Sequence, residues 1–182
     1  MGKGEDRRVK LTKQMLKDAL TQLLERKDIY HIAVREICDT ADVNRSTFYK
    51  HYGSQFDLLT DMENDMLSLV EESITKNSNS REKIIEDACR FLECNIRFAR
   101  LLLNNNVDPS FPQKLFSLTS LRDAVAKLTR DSHPGLNRNG PADEYTFNYV
   151  IHGAYQVIRV WINKEDREKP EEFADILCRI IV

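Results

Sequence analysis

Two short helical patterns separated by three residues that continue neither of them constrain this chain more than any other feature. In Val34-Arg-Glu-Ile-Cys-Asp-Thr-Ala41 the apolar residues Val34, Ile37, Cys38 and Ala41 share one helical face, so the segment predicts about two turns. Asp42-Val43-Asn44 interrupts the pattern. Asn44 suits the N-cap of a third helix from Arg45 to about His51, because its side chain can accept from the first free amides. Val43 and Phe48 then point inward, and Gly53 is expected to take the left-handed conformation that ends such a helix.

Longer helices flank this pair. From Val9 to Leu24 the residues Val9, Met15, Leu16, Ala19, Leu20, Leu23 and Leu24 fall mostly on one face, which predicts a first helix. Ser54-Gln-Phe-Asp57 has a capping-box arrangement with Asp in place of the commoner Glu, and opens a fourth helix from Gln55 to about Thr75. Its inward positions are Phe56, Leu59, Met62, Met66, Leu69 and Val70. Three helices with a tight turn before the third, followed by a long fourth, are the layout that presents a recognition helix to the major groove of DNA. Phe48 and Tyr52, four apart, hold that helix to the core. Arg45, Ser46, Thr47, Tyr49, Lys50 and His51 are left facing outward, a set rich in donors for base edges and phosphates.

Charge supports this placement only when it is divided. The whole chain carries a net charge of −2, yet residues 1–53 hold 11 Lys and Arg against 8 Asp and Glu, while residues 54–182 hold 16 against 21. The basic excess comes largely from Lys3, Arg7, Arg8, Lys10 and Lys13, as expected of a part that meets phosphates.

The run Ile32-Ala-Val-Arg-Glu-Ile-Cys-Asp-Thr-Ala-Asp-Val-Asn-Arg-Ser-Thr-Phe-Tyr-Lys-His-Tyr52 resembles the signature of the TetR/AcrR family of bacterial one-component regulators, and the likeness extends from Arg7 to about Met66. The resemblance implies base or groove contacts from Arg45, Ser46, Thr47 and Lys50, phosphate contacts from Tyr49 and His51, and a contact from Arg35 on the second helix. Asn44, at the head of the recognition helix, belongs to the same set. Two positions depart from the family. Ala33 stands where relatives commonly have a Thr or Ser that caps the second helix, and Gly53-Ser54-Gln55 lacks a Lys that grips the DNA backbone. Ser54 and the amide ends of the fourth helix are expected to substitute in part.

Beyond the polar joint Asn77-Ser-Asn-Ser80 the pattern is again helical and no strand pattern competes, so the chain is all-α. Expected are helices over Arg81 to about Leu103, Gln113 to Ser117, Leu118 to Arg130, Asp143 to Asn163 and Pro170 to Ile181, with one clear loop from Ser132 to Pro141. The predicted division is a helix-turn-helix domain over 1–53 and a sensing and dimerisation domain over 54–182. The resemblance implies that the last two helices pair with those of a second copy. Tyr149, Val150, Gly153, Val157, Val160 and Trp161, with Phe173, Ile176, Leu177, Ile180 and Ile181, offer more apolar surface than two helices cover. A homodimer would set two recognition helices roughly 34–36 Å apart over a palindromic site in double-stranded DNA. Phe91, Phe98, Phe116, Tyr145, Phe147 and Tyr149 either line a ligand pocket or pack as core. The resemblance reaches a subgroup that includes regulators of dihydroxyacetone kinase genes, so the signal is either a small-molecule effector or a protein partner.

Other functions find little in the residues. No nucleophile motif, poised carboxylate pair or phosphate-binding glycine loop is present, which argues against an enzyme and against a cofactor. Cys38, Cys89, Cys94 and Cys178 form no C-x-x-C pair and have no histidine at ligand spacing, so each is expected to be a small core residue, with no metal and a reducing cytoplasm as the setting. Tyr149 to Ile162, the one long apolar segment, is interrupted by His152, Gln156 and Arg159, so no membrane span is expected. The rival reading is an adaptor whose front helices bind protein.

Overall fold

The computed structural model describes residues 3–77, 80–104, 106–132 and 141–181. Among them no strand occurs, and the elements in order are α1 (Lys3–Leu24), a 3-10 turn (Ile29–His31), α2 (Val34–Ala41), α3 (Arg45–Phe48), α4 (Gln55–Lys76), α5 (Arg81–Cys94), α6 (Ile96–Leu103), α7 (Phe111–Phe116), α8 (Thr119–Ser132), α9 (Pro141–Asn163) and α10 (Pro170–Ile180). Most of the loop expected from Ser132 to Pro141 lies outside the described residues. The chain forms two compact units, Met1–Met66 and Leu67–Val182.

In the first unit α1 and α2 pack face to face around Leu16, Leu20, Ile32 and Ile37, each of which is at most 1% exposed. Phe48 is fully buried, and Leu58, Leu59, Met62 and Met66 of α4 complete the core. Full burial of a Phe or Leu side chain contributes ~1.5–3 kcal/mol, so this cluster is the main support for helices too short to persist alone. Phe56, expected inward, is 39% exposed and instead meets the ring of Tyr30 at 5.4 Å.

Local chemistry sets the ends of these helices. Ala33 has no oxygen with which to cap α2, and Glu36 reaches back to accept from the Ala33 amide at 3.0 Å. Asp42 ends α2 in the left-handed region at φ 52°, where a short side chain that can hydrogen-bond locally is tolerated. That makes Asp42, and not Gly53, the left-handed residue of the motif, because no described glycine has a positive φ. Asn44 holds the N-cap position of α3 in extended backbone, but its side chain makes no capping bond. Helix α3 proper stops at Phe48, and tighter bonds such as Lys50 N to Thr47 O carry the chain on to Tyr52.

In the second unit α5 packs along α10, and α9 packs against α6 and α8. Trp161 stacks on Phe173 at 4.7 Å and donates from Nε1 to Glu168 O at 2.8 Å. Arg100 Nε donates to Ile162 O at 2.8 Å, and Tyr155 donates to Leu103 O at 2.9 Å, which fixes α6 to α9 by buried polar bonds as well as by packing. The single helix expected over Arg81–Leu103 is broken at Asn95, whose backbone leaves the helical region (φ −117°, ψ 32°) while its side-chain amide donates to Phe91 O at 2.9 Å. Cys38, Cys89 and Cys178 are buried as expected of core residues, and Cys94 is exposed. Burial pushes the Cys89 thiol up to about 12, so it is inert as a nucleophile at neutral pH. Among the described residues no helix is long and apolar enough to cross a membrane, and no group of His, Cys, Asp or Glu could hold a metal ion.

Candidate nucleic-acid interface

The segment Asn44 to Tyr52 is built from the inside outward. Phe48 has no exposed surface, Tyr52 is 5% exposed, and their rings meet at 5.7 Å. A helical repeat that points these two residues inward must point their neighbours outward. Asn44, Arg45, Ser46, Tyr49 and Lys50 are exposed, with Thr47 and His51 half-buried beside them. Tyr49 is 58% exposed while its ring meets that of Phe48 edge to face, centre to centre at 5.5 Å, so the phenol is braced against the core. The result is a face of hydroxyl, guanidinium, ammonium and imidazole groups over a buried apolar floor. Such a face can hydrogen-bond base edges and phosphates.

A polar anchor fixes the rear of the segment. The Tyr52 hydroxyl donates to Asp61 Oδ2 at 2.8 Å, and Lys17 Nζ lies 2.8 Å from the same oxygen. Lys13 Nζ is 3.6 Å from that oxygen and 5.3 Å from the centre of the Tyr52 ring. Partial burial pushes the Asp61 carboxyl up, but hydrogen bonds from Lys17 and Tyr52 and the charges of Lys17 and Lys13 outweigh it and hold the group below its ordinary 3.8. Burial lowers Lys17 in turn, and its bonds to Asp61 and Asp65 more than reverse this. Burial, and then the bond to Asp61, raise the Tyr52 hydroxyl, so it stays protonated and donating. Lys13 therefore turns to the scaffold, where the sequence placed it among the phosphate-facing cations. Arg7, Arg8 and Lys10 of that set are exposed.

The head of α4 differs from expectation as well. Ser54 Oγ accepts from the Asp57 amide at 3.3 Å, as a capping box requires. Asp57 Oδ2 returns to the Gly53 amide at 2.9 Å, so a carboxylate already occupies the place where a phosphate would seek that donor. A methyl group on Gly53 would approach this carboxylate to 2.8 Å, so a larger residue there would have to displace the Asp57 side chain. Arg35 is exposed and faces Asp39 at 3.4 Å, a loose surface pair that a phosphate can displace.

The chain's second half matches the family described as the TetR-type transcriptional regulator C-terminal region over residues 79–182. The chain belongs to the TetR family of transcriptional regulators. It is 21% identical over 91% of its length to the uncharacterised HTH-type transcriptional regulator YxbF of Bacillus subtilis strain 168, and spans 43% of that protein. Its fold is shared with a TetR transcriptional regulator of Streptococcus agalactiae 2603V, with TM-score 0.66, 20% identity and coverage of 100% of this chain and 99% of that one. The dihydroxyacetone kinase operon activator DhaS shares it too, with TM-score 0.61, 18% identity and 93% of each chain covered.

In the second unit of this TetR-family chain, the residues singled out from sequence separate into distinct environments. Trp161, Phe173 and Leu177, at 1%, 4% and 1% exposure, belong to the core of the second unit, where Trp161 stacks on Phe173 and α5 packs along α10. Val157 is half-buried. Tyr149, Val160, Ile176 and Ile180 remain exposed, at 83%, 53%, 42% and 59%. Gly153 stands in the same α9 stripe with nothing within 4 Å of where a Cβ would be, so the protomer itself does not require a glycine there. Of the aromatic set, Phe98 is core, Phe91 is half-buried, and Tyr145 and Tyr149 face solvent. Phe116 and Phe147 alone of that set line a cleft of about 790 Å³. Its other walls include Arg122, His152, Tyr155, Gln156 and Arg159, none of them anticipated as a ligand contact. The signal was available: His152, Gln156 and Arg159 are the polar residues that interrupt the apolar run of α9, at the i, i+4, i+7 spacing of one face.

Proposed function

We propose that the chain binds a palindromic operator in double-stranded DNA as a homodimer and represses transcription, with residues 1–53 reading DNA and residues 54–182 dimerising and receiving the signal. The observation that carries the reading is the exposure of Arg45, Ser46, Tyr49 and Lys50 above the fully buried Phe48. Arg45, Ser46, Thr47 and Lys50 are the base or groove contacts. Asn44, Tyr49, His51 and Ser54 stand at phosphates, and Arg35 adds a contact from α2. Because Asp57 occupies the Gly53 amide, the backbone grip rests on Tyr49, His51 and the amino-terminal arginines more than on the head of α4.

The dimer reading is supported by the α9 and α10 stripe of Tyr149, Gly153, Val160, Ile176 and Ile180, which is apolar, exposed and furnished with a glycine that only an approaching helix would need. A signal from a small-molecule effector or protein partner would change the separation of the two heads, in the cytoplasm where the DNA lies. Repression is the family's commoner outcome, although DhaS is described as an operon activator. Selection of bound fragments from genomic DNA tests the reading. The wild-type chain should enrich one palindrome, and Thr47→Ala with Lys50→Ala should abolish the enrichment. Enrichment of no palindrome, or of the same one by the double variant, would overturn it.

A further inference from the structure

The cleft of the second unit has a chemistry of its own. Pro109, Pro112 and Phe116 form one wall, and Phe147 and Tyr155 another. Around this apolar body stand Arg122, Arg159 and His152, and among the described residues no Asp or Glu lines it. Arg159 is the informative member. Its Nε is buried without a hydrogen-bond partner, while its NH1 donates to Gln156 Oε1 at 3.2 Å. A guanidinium donor that is buried and left unmet carries a desolvation cost that nothing in the fold repays. An oxyanion that met the guanidinium from the cleft, with a small shift of the Arg159 side chain to bring Nε to it, would remove that cost. Arg122, whose guanidinium lies 4.3 Å from the Phe147 ring centre, supplies a second cation with no competing carboxylate on the lining.

The walls argue for a body attached to the anion. Phe116 meets His152 at 4.7 Å and Tyr155 at 5.4 Å, both edge to face, so three rings present a preformed aromatic corner. The Tyr155 hydroxyl is already committed to Leu103 O, which leaves its ring as the surface on offer. A bare ion would leave this apolar surface wet, and about 790 Å³ is the size of a small-molecule site. We infer that the cleft between α7, α8 and α9 binds an organic acid with an aromatic or compact apolar body, its carboxylate held by Arg159 and Arg122, and that this acid is the effector. The inference rests on the proposed regulatory reading and makes its signal chemically specific. His152 and Gln156 follow Tyr149 and Gly153 on α9, so a ligand gripping one face of this helix acts next to the stripe assigned to dimerisation.

Calorimetry on the full chain with benzoate, 4-phenylbutyrate and octanoate, each beside its primary amide, tests this, with phenyl phosphate and inorganic phosphate as the phosphate arms. At least one acid should bind one per protomer and at least tenfold more tightly than its amide. Arg159→Gln should erase that preference while amide binding persists, which also shows the variant is folded, and Arg122→Gln should reduce it less. No binding by any acid, equal binding of acid and amide, or a preference that survives Arg159→Gln would overturn the site. Phenyl phosphate or inorganic phosphate binding more tightly than every acid would overturn the carboxylate assignment. A saturating acid should shift retention of the selected DNA at least threefold, and no shift would overturn the effector role. Retention by the ligand-free wild-type chain is read separately, so failure there strikes the DNA-binding reading and leaves the binding of acids to be judged alone.

Discussion

The first unit sets its outward polar donors over a buried core of Leu16, Leu20, Phe48 and Leu58, although Leu11, Tyr30 and Phe56 stay at its surface, whereas the second leaves Tyr149, Val160, Ile176 and Ile180 in solvent along α9 and α10 and keeps the Arg159 Nε without a hydrogen-bond partner beside an open cleft. Phe48 sits under the outward face of α3 with no exposed surface, and behind it Asp61 gathers Tyr52, Lys17 and Lys13. Among the described residues nothing comparable closes the exposed stripe of α9. The contrast agrees with the partners proposed for each half. A recognition face resting on a fully buried ring can present side chains to a rigid ligand such as DNA, and an exposed apolar stripe beside an unpartnered guanidinium nitrogen suits the second copy and the small acid proposed for the other half.

The largest expected effect breaks the head. Phe48→Ala removes a fully buried ring and should destabilise the first unit by ~3–5 kcal/mol, measured by denaturant titration followed by circular dichroism. A loss below about 1 kcal/mol would mean the head is held by something other than this core. Next in size, Lys50→Ala should weaken binding of the selected palindrome by ~1–3 kcal/mol at fixed salt with no change in melting temperature, because the residue is exposed.

The Asp61 anchor sharpens the comparison through pH. A carboxyl held below 3.8 in the folded chain contributes fully above that value and loses its contribution as pH falls through the lower folded value. Asp61→Asn keeps an acceptor for Tyr52 but loses the charge that pairs with Lys17. It should cost ~1–2 kcal/mol near neutrality, and the difference from wild type should shrink in acid below the unfolded value of 3.8. An equal difference at pH 7 and pH 3 would remove the charge from the account. The smallest effect probes the other half. Gly153→Ala should stabilise the isolated protomer by ~0.5–1 kcal/mol through helix propensity while shifting sedimentation towards monomer. A variant that is more stable and equally dimeric would show that no helix approaches there.

Much of the head was legible because its rules are local. Val34–Ala41 is bounded as its four apolar residues require, and the inward pair Phe48 and Tyr52 follows from a spacing of four. What was not legible depends on partners distant in sequence or on competition between side chains. That Asp57 takes the Gly53 amide and that Asn95 divides a helix are each decided by a side chain bonding to nearby backbone, and Asp42, not Gly53, turns left-handed as the Asp42 and Val43 amides close on Cys38 O, outcomes that periodicity does not encode. Trp161, Phe173 and Leu177 read as apolar residues awaiting a partner, and a pattern cannot say which helix supplies it. The cleft joins Arg122 of α8 to Arg159 of α9, a meeting that only the packed second unit reveals.

Trp161 is the sole tryptophan of the sequence, lies 1% exposed against Phe173, and has its indole N–H tied to the carbonyl of Glu168. The molecule thus carries one built-in optical reporter, placed at the junction of its last two helices and absent from the head. Fluorescence excited near the red edge of indole absorption will follow the second unit alone, while far-ultraviolet dichroism follows both. Subtracting one record from the other gives the order in which the two parts melt without any added label.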